Sequence, residues 1–471
     1  MTKSVAGTDA LGPRPELGPC VAYRAPKPEV YATEQGLSVW LLQRRSLPLV
    51  SLALVVRTGS ADDPPGKAGL AHISTGMLDE GAGELDAVAL SSAINDLGAT
   101  LFAGASLDGS RVQLTVLRRH FERGFKILAD VVARPRFDEA EWSRTTALWH
   151  NQLRQRADDP ELVALVVTRA VLYGPDSPYG HPTTGRLDAA QSIALGEARQ
   201  AYREAWRPDR ALLVVAGDIG RPELDAAIAR DLGSWRAPAE PAPARRPPPP
   251  QLGVRPKLVL VDRPDAPQAV IAVVKPGVAA ADPAAPLLDL INTALGGSFT
   301  SRLNQNLRED HGWTYGARSA FVETRAVGPF VARAAVFTNA AGAALGETLR
   351  EIDGMKQGGL SEDEYEKGRA RDTAELIQTN ETLEGLVDRL ATLAALDLGP
   401  GFDAAASSAR QAASRATLAA LARQSLDTTE ASIVVVGPKA LVLPQLRVLG
   451  RGEPEQWDPD GRPLAAGAAG P

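Results

Sequence analysis

Cysteine is almost absent from this chain of 471 residues, in which Cys20 is the only example. A single cysteine excludes an intramolecular disulfide and a metal cluster built on cysteines. We therefore expect the fold to be held by packing alone. Cys20 follows Leu-Gly-Pro rather than an apolar run, so we interpret it as an ordinary residue and not as a site of lipid attachment.

Long apolar runs are also missing. The longest ones fall far short of the roughly 20 residues that a membrane-spanning helix needs. The N-terminal segment lacks the apolar stretch of about 7–15 residues that marks a secretory signal. We therefore predict a cytoplasmic protein with no membrane partner, although a chain trimmed of its signal would read the same way and would be periplasmic.

Basic residues are not in excess, because 51 Lys and Arg stand against 57 Asp and Glu and give a formal net charge of −6. Proteins that bind nucleic acid usually present a basic surface that attracts phosphates. The charge balance therefore argues against a nucleic-acid partner.

Two strand-like segments occur twice, with nearly the same separation along the chain. SLALVVRTG (51–59) is similar to AVIAVVKPG (269–277), and ALLVVAGD (211–218) is similar to ASIVVVGP (431–438). Either match alone could reflect only the likeness of buried, valine-rich strands. Two matches at nearly the same offset indicate an internal repeat, the sign of a duplicated structural unit.

A proline-rich stretch, RAPAEPAPARRPPPPQ, separates the two copies. Its proline density excludes helix and sheet and favours an extended linker. We therefore divide the chain into an N-terminal extension (1–29), a first domain (30–235), a linker (236–252), a second domain (253–450) and a C-terminal tail (451–471). The composition of the tail favours a mobile end.

Within each copy, apolar strand-like segments are followed by segments with helical spacing. In the second copy this pattern predicts long helices at 341–357 and 361–395. The predicted fold class is α+β, with two homologous domains that each contain a mainly antiparallel sheet with helices on one face.

The segment AGLAHISTGMLDEGAG (68–83) has the frame of the inverted zinc-peptidase motif HxxEH. His72 occupies the first histidine position, whereas Thr75 stands at the glutamate position and Gly76 at the second histidine position. A catalytic zinc needs about three protein ligands, and a threonine hydroxyl cannot act as a general base near neutral pH. Alone, His72 would be interpreted as a hydrogen-bonded helix residue.

The order of several segments resembles the pitrilysin-type (M16) zinc peptidases, in particular the small two-domain subunits that pair into heterodimers. The resemblance runs from about residue 30 to 450 and includes RPRFDEAEW (134–142), YGPDSPYGHPTTG (173–185) and GGSFTSRLNQNLREDHGWTYGARS (296–319). It implies the LuxS-like metallopeptidase fold, with two homologous domains.

In active members of that family the third zinc ligand is a glutamate on a later helix, and the matching position here is Gln152. An amide is a poor substitute for a carboxylate ligand, and the adjacent Asn151 and Leu153 restore no carboxylate either. The resemblance therefore implies no metal site in this chain. Gly76 inside a helix costs about 1 kcal/mol relative to alanine, and we hypothesise that it leaves room for a substrate or partner segment.

The family also has an arginine and, seven residues later, a tyrosine that reach the bound peptide across the chamber. Arg308 and Tyr315 match that pair. Arginine can hold a peptide carbonyl or carboxylate, and a tyrosine hydroxyl can donate to the oxyanion formed at a scissile carbonyl. Outside this motif, the same residues would be read as a solvated helix residue and a strand residue facing a neighbour.

Peptides bind to this family by adding a strand to an exposed sheet edge. The corresponding segment here is GATLFAGASLDGS (98–110), and its predicted peptide-contacting residues are Thr100, Leu101, Phe102, Ala103 and Gly104. The small residues would let a peptide backbone approach. The segment fits an ordinary edge strand equally well.

These features together predict a subunit that is inactive alone and contributes Arg308 and Tyr315 to a heterodimeric zinc peptidase. The resemblance implies a partner that carries HxxEH and the zinc, and a peptide substrate. Two alternatives stay open: a purely structural homologue, as in respiratory complexes, and a homodimer that binds peptides.

Overall fold

The computed structural model describes residues 23, 25–34, 36–240, 255 and 257–465. The predicted N-terminal extension up to residue 22 and most of the predicted linker, 241–252, lie outside these residues. Among the described residues, no helix has the length and apolar character to cross a membrane.

The first half of the chain forms a six-stranded sheet, a small two-stranded ribbon and eight α-helices. The strands are β1 (Glu29–Ala32), β2 (Ser38–Gln43), β3 (Leu49–Val56), β4 (Gly81–Ala82), β5 (Leu85–Asp86), β6 (Thr100–Ala105), β7 (Ser110–Leu117) and β8 (Ala211–Gly217). The helices are α1 (Leu70–Gly76), α2 (Ala87–Asp96), α3 (Phe121–Ala133), α4 (Glu139–Asp158), α5 (Pro160–Tyr173), α6 (Leu187–Ser192), α7 (Leu195–Ala205) and α8 (Arg221–Asp231).

The second half forms another six-stranded sheet with its own helices. The strands are β9 (Leu258–Asp262), β10 (Gln268–Pro276), β11 (Thr314–Phe321), β12 (Pro329–Phe337), β13 (Ser432–Gly437) and β14 (Glu455–Gln456). The helices are α9 (Ala285–Asn292), α10 (Arg302–Asn304), α11 (Ala341–Gly358), α12 (Glu362–Thr379), α13 (Leu383–Ala395), α14 (Phe402–Ala412), α15 (Arg415–Ser425) and α16 (Lys439–Arg447). Two π-helical turns, Thr293–Gly297 and Gln305–Asp310, follow α9 and α10.

The two sheets have corresponding strand orders. The first sheet is ordered β1-β2-β8-β3-β7-β6 and the second is ordered β14-β9-β13-β10-β12-β11. β8 pairs parallel to β2, and β13 and β14 pair parallel to β9, while the other pairs in both sheets are antiparallel. The predicted α+β class with two sheet-and-helix domains is confirmed.

The strands predicted as an internal repeat occupy equivalent places in the two sheets. β3 lies between β8 and β7, and β10 lies between β13 and β12. β8 and β13, the second matched pair, also correspond. These four strands are almost fully buried, which explains why their sequences are apolar on both faces and alike.

Most helices of each half pack on one face of their own sheet and enclose a large apolar core there. The opposite face of each sheet is covered by a helix from the other half. α13 packs on the first sheet against β3 and β8, and α5 packs on the second sheet against β10 and β13. The two domains therefore exchange one helix each.

The single helix predicted at 361–395 is wrong, because the chain divides there into α12 and α13. The break is stabilised by Thr382, whose hydroxyl accepts a hydrogen bond from the Gly385 amide and caps α13. Asn380 closes the end of α12, and its carbonyl accepts a hydrogen bond of 2.6 Å from Arg44 of the first half. This break turns α13 onto the first sheet.

The prediction of a mobile C-terminal end is wrong for residues 455–465. β14 adds to the edge of the second sheet beside β9, and the adjacent Trp457 is only 5% exposed in the core between α5 and that sheet. Asp460 accepts a hydrogen bond of 2.6 Å from the largely buried Arg156 at the end of α4. The strand pairing, the buried tryptophan and the ion pair together order a segment whose composition is otherwise polar.

We predict that Leu390→Ala, in α13, lowers the free energy of unfolding by about 2–5 kcal/mol, because it removes a core side chain and leaves a cavity. Leu390 is 4% exposed in the core between α13 and the first sheet. Leu441→Ala is the matched control, since Leu441 is 59% exposed, and should change the value by less than about 0.5 kcal/mol. Urea denaturation followed by circular dichroism measures both; equal effects would contradict a structural role for the exchanged helix.

Candidate functional site

α1, which carries the zinc-motif frame, is held in place at its first turn by a buried carboxylate. The two oxygens of Asp63 accept hydrogen bonds from the backbone amides of Gly69 and Ala71, at 2.7 and 2.8 Å. Burial raises the pKa of Asp63 to about 7. Gly69 has a φ of +103°, and a Cβ there would lie 2.5 Å from the Trp149 ring, so only glycine lets α4 approach α1 so closely.

His72 lies in α1 beside Trp149, with ring centroids 5.8 Å apart. Trp149 is 2% exposed and its indole N–H donates to the Thr184 carbonyl at 2.8 Å. Burial lowers the pKa of His72, which favours the neutral imidazole. A neutral ring is the form that binds a metal, but one ring is a single ligand.

The other positions of the motif offer no further ligand. Thr75 is 2% exposed and faces the protein interior. Beside Gly76 the space is open, since a Cβ there would meet no atom within 4 Å. Gln152 is exposed on α4, three residues after Trp149, whereas the adjacent Leu153 is 3% exposed in the core.

A three-ligand zinc centre does not fit these residues. Nowhere in the described ranges do three His, Cys, Asp or Glu side chains come together in an arrangement that could hold a metal ion. At the motif itself the available groups are an imidazole, a hydroxyl and an amide, and a catalytic zinc site requires about three His, Cys or carboxylate ligands.

β6, the predicted peptide-binding strand, lies at the edge of the first sheet and contacts α1. The structure therefore places the motif and the five predicted residues 100–104 together. Leu101 and Ala103 face the core that contains α1. Phe102, which is 53% exposed, and Gly104 lie on the opposite face of the strand.

Arg308 lies in the π-helical turn Gln305–Asp310, before β11. Its guanidinium carbon is 4.3 Å from the centroid of the Phe299 ring, a cation–π contact, and its Nη1 is 3.1 Å from the Glu309 carboxylate. Phe299 itself is 68% exposed. The arginine is thus supported on one side by an aromatic ring at the surface.

Tyr315 is 85% exposed and lies in a bulge of β11, the edge strand of the second sheet. Thr314 fixes that bulge, because its hydroxyl donates to the Ala335 carbonyl at 2.6 Å and accepts from the Gly316 amide at 3.1 Å. Bulges redirect side chains at sheet edges. Here the bulge directs the tyrosine into solvent.

Asn304 links the loop that carries Phe299 to β11. This side chain is 6% exposed; its Oδ1 accepts from the Ala317 amide at 2.9 Å and its Nδ2 donates to the Ser298 carbonyl at 3.1 Å. Sequence reasoning missed both Asn304 and Phe299. The sequence did offer one signal for Phe299, because this aromatic residue lies between a pair of glycines and a turn that contains serine.

The structure shows no direct contact between Arg308 and Tyr315, the two residues of the predicted pair. No hydrogen bond or ring contact links Arg308 to Tyr315 within the described part of the chain. The hairpins that contain β6 and β11 do meet at their tips, where the 3% exposed Asp108 accepts a hydrogen bond of 3.0 Å from the Arg325 amide.

Comparison with known proteins identifies the family. The insulinase model of peptidase family M16 matches residues 39–172, and the model described as the peptidase M16 inactive domain matches residues 192–371. An uncharacterized zinc protease of Mycobacterium leprae is 29% identical over 289 residues, which cover 60% of this chain and 64% of that protein. The chain thus spans less than two thirds of the length of that relative.

Two further comparisons agree with this assignment. A non-peptidase homolog of Helicobacter pylori, YmxG, is 21% identical over 173 residues, which are 37% of this chain and 40% of that protein. The crystal structure of a peptidase M16 inactive domain from Pseudomonas fluorescens has the same fold, with a TM-score of 0.78 at 22% identity, covering 88% of this chain and 98% of that one. The resemblance seen in the sequence is confirmed: the chain belongs to peptidase family M16.

Proposed function

We propose that this chain is the non-catalytic subunit of a heterodimeric M16-type zinc peptidase. It supplies Arg308 and Tyr315 to the peptide-binding site of a partner that carries HxxEH and the zinc. The observation that carries the proposal is the position of Tyr315, 85% exposed on a bulge that Thr314 holds rigid. A hydroxyl that projects into solvent from a held sheet edge is available to donate to a peptide carbonyl or to the oxyanion formed from it.

The surroundings of Arg308 support the same role. Its Nη1 is buried and makes no hydrogen bond within the described residues, although the Glu309 carboxylate lies within ion-pair distance. The Phe299 ring restricts the movement of the guanidinium. An arginine restricted in this way loses less conformational entropy when it binds a peptide carbonyl or carboxylate.

The first half of the chain supports assignment of the zinc to the partner. His72 is one ligand where about three are needed, and the buried Thr75 cannot act as a base. The name of the Helicobacter pylori relative, a non-peptidase homolog, also favours a subunit that does not hydrolyse peptides alone. The partner's zinc would supply the activated water.

We predict that the purified chain cleaves no peptide, and that mixing it with an HxxEH-bearing M16 homologue from the same organism produces peptidase activity. Tyr315→Phe should lower kcat of the mixture by about 10²–10³, the effect of removing one oxyanion donor. Arg308→Ala should mainly raise KM, because it removes a group that holds the peptide. Steady-state kinetics on a quenched fluorescent peptide measures both effects.

Two variants away from β6 and β11 serve as controls. Tyr31→Phe changes a tyrosine on β1, at the edge of the first sheet away from β6, and Arg350→Ala removes a side chain on α11 that is 72% exposed. Both should leave the kinetics of the mixture unchanged. If Tyr315→Phe and Arg308→Ala behaved like these controls, the shared-site proposal would fail. A complex that forms without any activity would instead favour a structural homologue.

We also predict that zinc binding can be rebuilt in α1 and α4. The triple variant Thr75→Glu, Gly76→His and Gln152→Glu restores the motif, and the open space beside Gly76 accommodates a larger side chain. We expect about one zinc per chain by isothermal titration calorimetry, and none for the unmodified protein. Adding His72→Ala to the triple variant is the control and should abolish binding. A folded triple variant that binds no zinc would show that the frame is not a former metal site.

A further inference from the structure

Two arginines lie opposite each other on the two outermost strands of the second sheet, β11 and β12. Arg318 of β11 is the direct cross-strand neighbour of Arg333 of β12 in an antiparallel pair. Such neighbours have Cβ atoms about 4.5–5.5 Å apart, and like charges placed directly opposite destabilise a sheet. The strand register therefore brings two positive charges together where folding alone would favour their separation.

Both arginines lie on the face of the sheet that α5 covers only in part. The row of cross-strand neighbours continues from Arg333 to Ala272 of β10, which is buried in the core between α5 and the sheet. α5 packs mainly on β10 and β13, on the far side of this row from β11. Arg318, at the sheet edge, is exposed, and Arg333 is half-buried. The arginine pair thus lies beside α5, where this face is open to solvent.

Little negative charge balances the pair. Among the residues that the structure describes, Arg318 makes no hydrogen bond or ion pair. Arg333 has one distant partner, since its Nη1 is 3.9 Å from the carboxylate of Glu161 on α5. The side chain of Glu161 is itself 61% exposed, and ion pairs at such exposed positions contribute little to stability. At least one of the two positive charges is therefore left without a counter-charge.

The corresponding strand of the first sheet carries a balanced charge instead. Arg111 lies on β7, which like β12 is the second strand from the edge of its sheet, and it pairs with Asp388 of the exchanged helix α13. Its direct neighbour on β6 is Gly104 rather than a second arginine. The fold can thus neutralise an arginine at such a place through the exchanged helix, so the stability of the sheet does not explain the pair on β11 and β12.

Small side chains beside the pair leave the guanidinium groups accessible. Ala320 of β11 and Val331 of β12 form the next cross-strand pair on the same face, and Ala320 is exposed. On the other side of Arg333 the neighbour on this face of β12 is Ala335, again a short side chain. These neighbours offer no side-chain acceptor. Each guanidinium carries a planar fork of donors that matches the two oxygens of a carboxylate, so the pair is suited to one acidic group.

We propose that Arg318 and Arg333 bind an acidic side chain of the peptide substrate and so select peptides that contain glutamate or aspartate. This inference rests on the proposed function, because it gives the peptide held at Tyr315 a second contact. Tyr315 and Arg318 are three positions apart on β11, no more than about 10 Å along a strand. An extended peptide spans that distance with about three residues. This short distance, and the need for only one carboxylate, favour the peptide over a partner surface as the source of the acidic group.

Peptide binding to the purified full-length chain tests this inference without catalysis. The probes are two dansyl-labelled heptapeptides of alanine and serine, amidated at the C-terminus, with either glutamate or glutamine at the centre. We expect the glutamate peptide to bind about tenfold more tightly by fluorescence anisotropy at low ionic strength, the scale of one charge-assisted hydrogen bond. Sodium chloride at about 0.5 M should reduce the preference, because salt screens exposed charges.

Arg318→Gln and Arg333→Gln should each reduce the preference for glutamate, and the double variant should abolish it. Arg423→Gln is the matched control and should keep the preference. It removes the same charge from an exposed position of α15, a helix that packs on the opposite face of the second sheet. Arg318→Gln should also raise the urea midpoint slightly, because it relieves the repulsion between the two arginines. Circular dichroism checks that all variants are folded.

Equal binding of the two peptides by the unmodified chain would overturn the inference, as would a glutamate preference that persists in the double variant. A lower urea midpoint for Arg318→Gln would also count against it, because the arginine would then stabilise the fold. A dimer of the free chain that the double variant dissociates in size-exclusion chromatography would assign the pair to a second copy. The proposed function fails by a different result, unchanged kinetics of Tyr315→Phe in the mixture, so the two failures can be distinguished.

Discussion

The exchange of α5 and α13 between the two halves is the contact on which the rest of the structure depends. Each six-stranded sheet is apolar on both faces, and its own helices cover only one. Val167 of α5 and Val387 of α13 are fully buried against the sheet of the other half. Separating the halves would expose both outer faces to water, at a cost proportional to the apolar area. The two halves are therefore one mechanical unit.

This rigidity fixes where the two edge strands lie relative to each other. β6 and β11 are edge strands of different sheets, and their hairpins meet where Asp108 accepts a hydrogen bond from the Arg325 amide. Because α13 also pairs with β7 through Asp388 and Arg111, the hairpin that carries β6 is supported by both halves. Sites on rigid elements hold their groups more accurately than sites on loops.

The repeated strands could be predicted from sequence because a buried central strand is apolar at every position, and this pattern survives in β3 and β10. The helix exchange could not be predicted. α5 reads PELVALVVTRAVLY, which is apolar on most of its surface, and such a pattern shows that a helix is buried without showing which sheet buries it. The break before α13 had a signal in Thr382, a residue suited to cap a helix.

The candidate site, like the fold, could be predicted from the sequence only in part. The spacing of Arg308 and Tyr315 could be read from the chain because the motif is local. The roles of Phe299 and Asn304 depend on their contacts with Arg308 and with β11. These contacts join different segments of the folded chain, and a sequence pattern within one segment does not reveal them. The ordered tail was missed because a few specific contacts hold it, among them the buried Trp457 and the ion pair of Asp460 with Arg156, and average composition does not show individual contacts.

The stability of the fold explains the geometry of one half of the site but not that of the other. The geometry of α1 is maintained by the Asp63 cap and the close approach of Trp149 to Gly69, and these contacts stabilise the fold with or without a metal. The presence of His72 beside Trp149 is therefore not evidence for catalysis. Tyr315 is the opposite case, because a side chain 85% exposed buries little apolar area and contributes little to folding. The stability of the fold does not explain a bulge that holds such a residue in solvent, and the proposed contact of Tyr315 with a peptide in a complex would explain it.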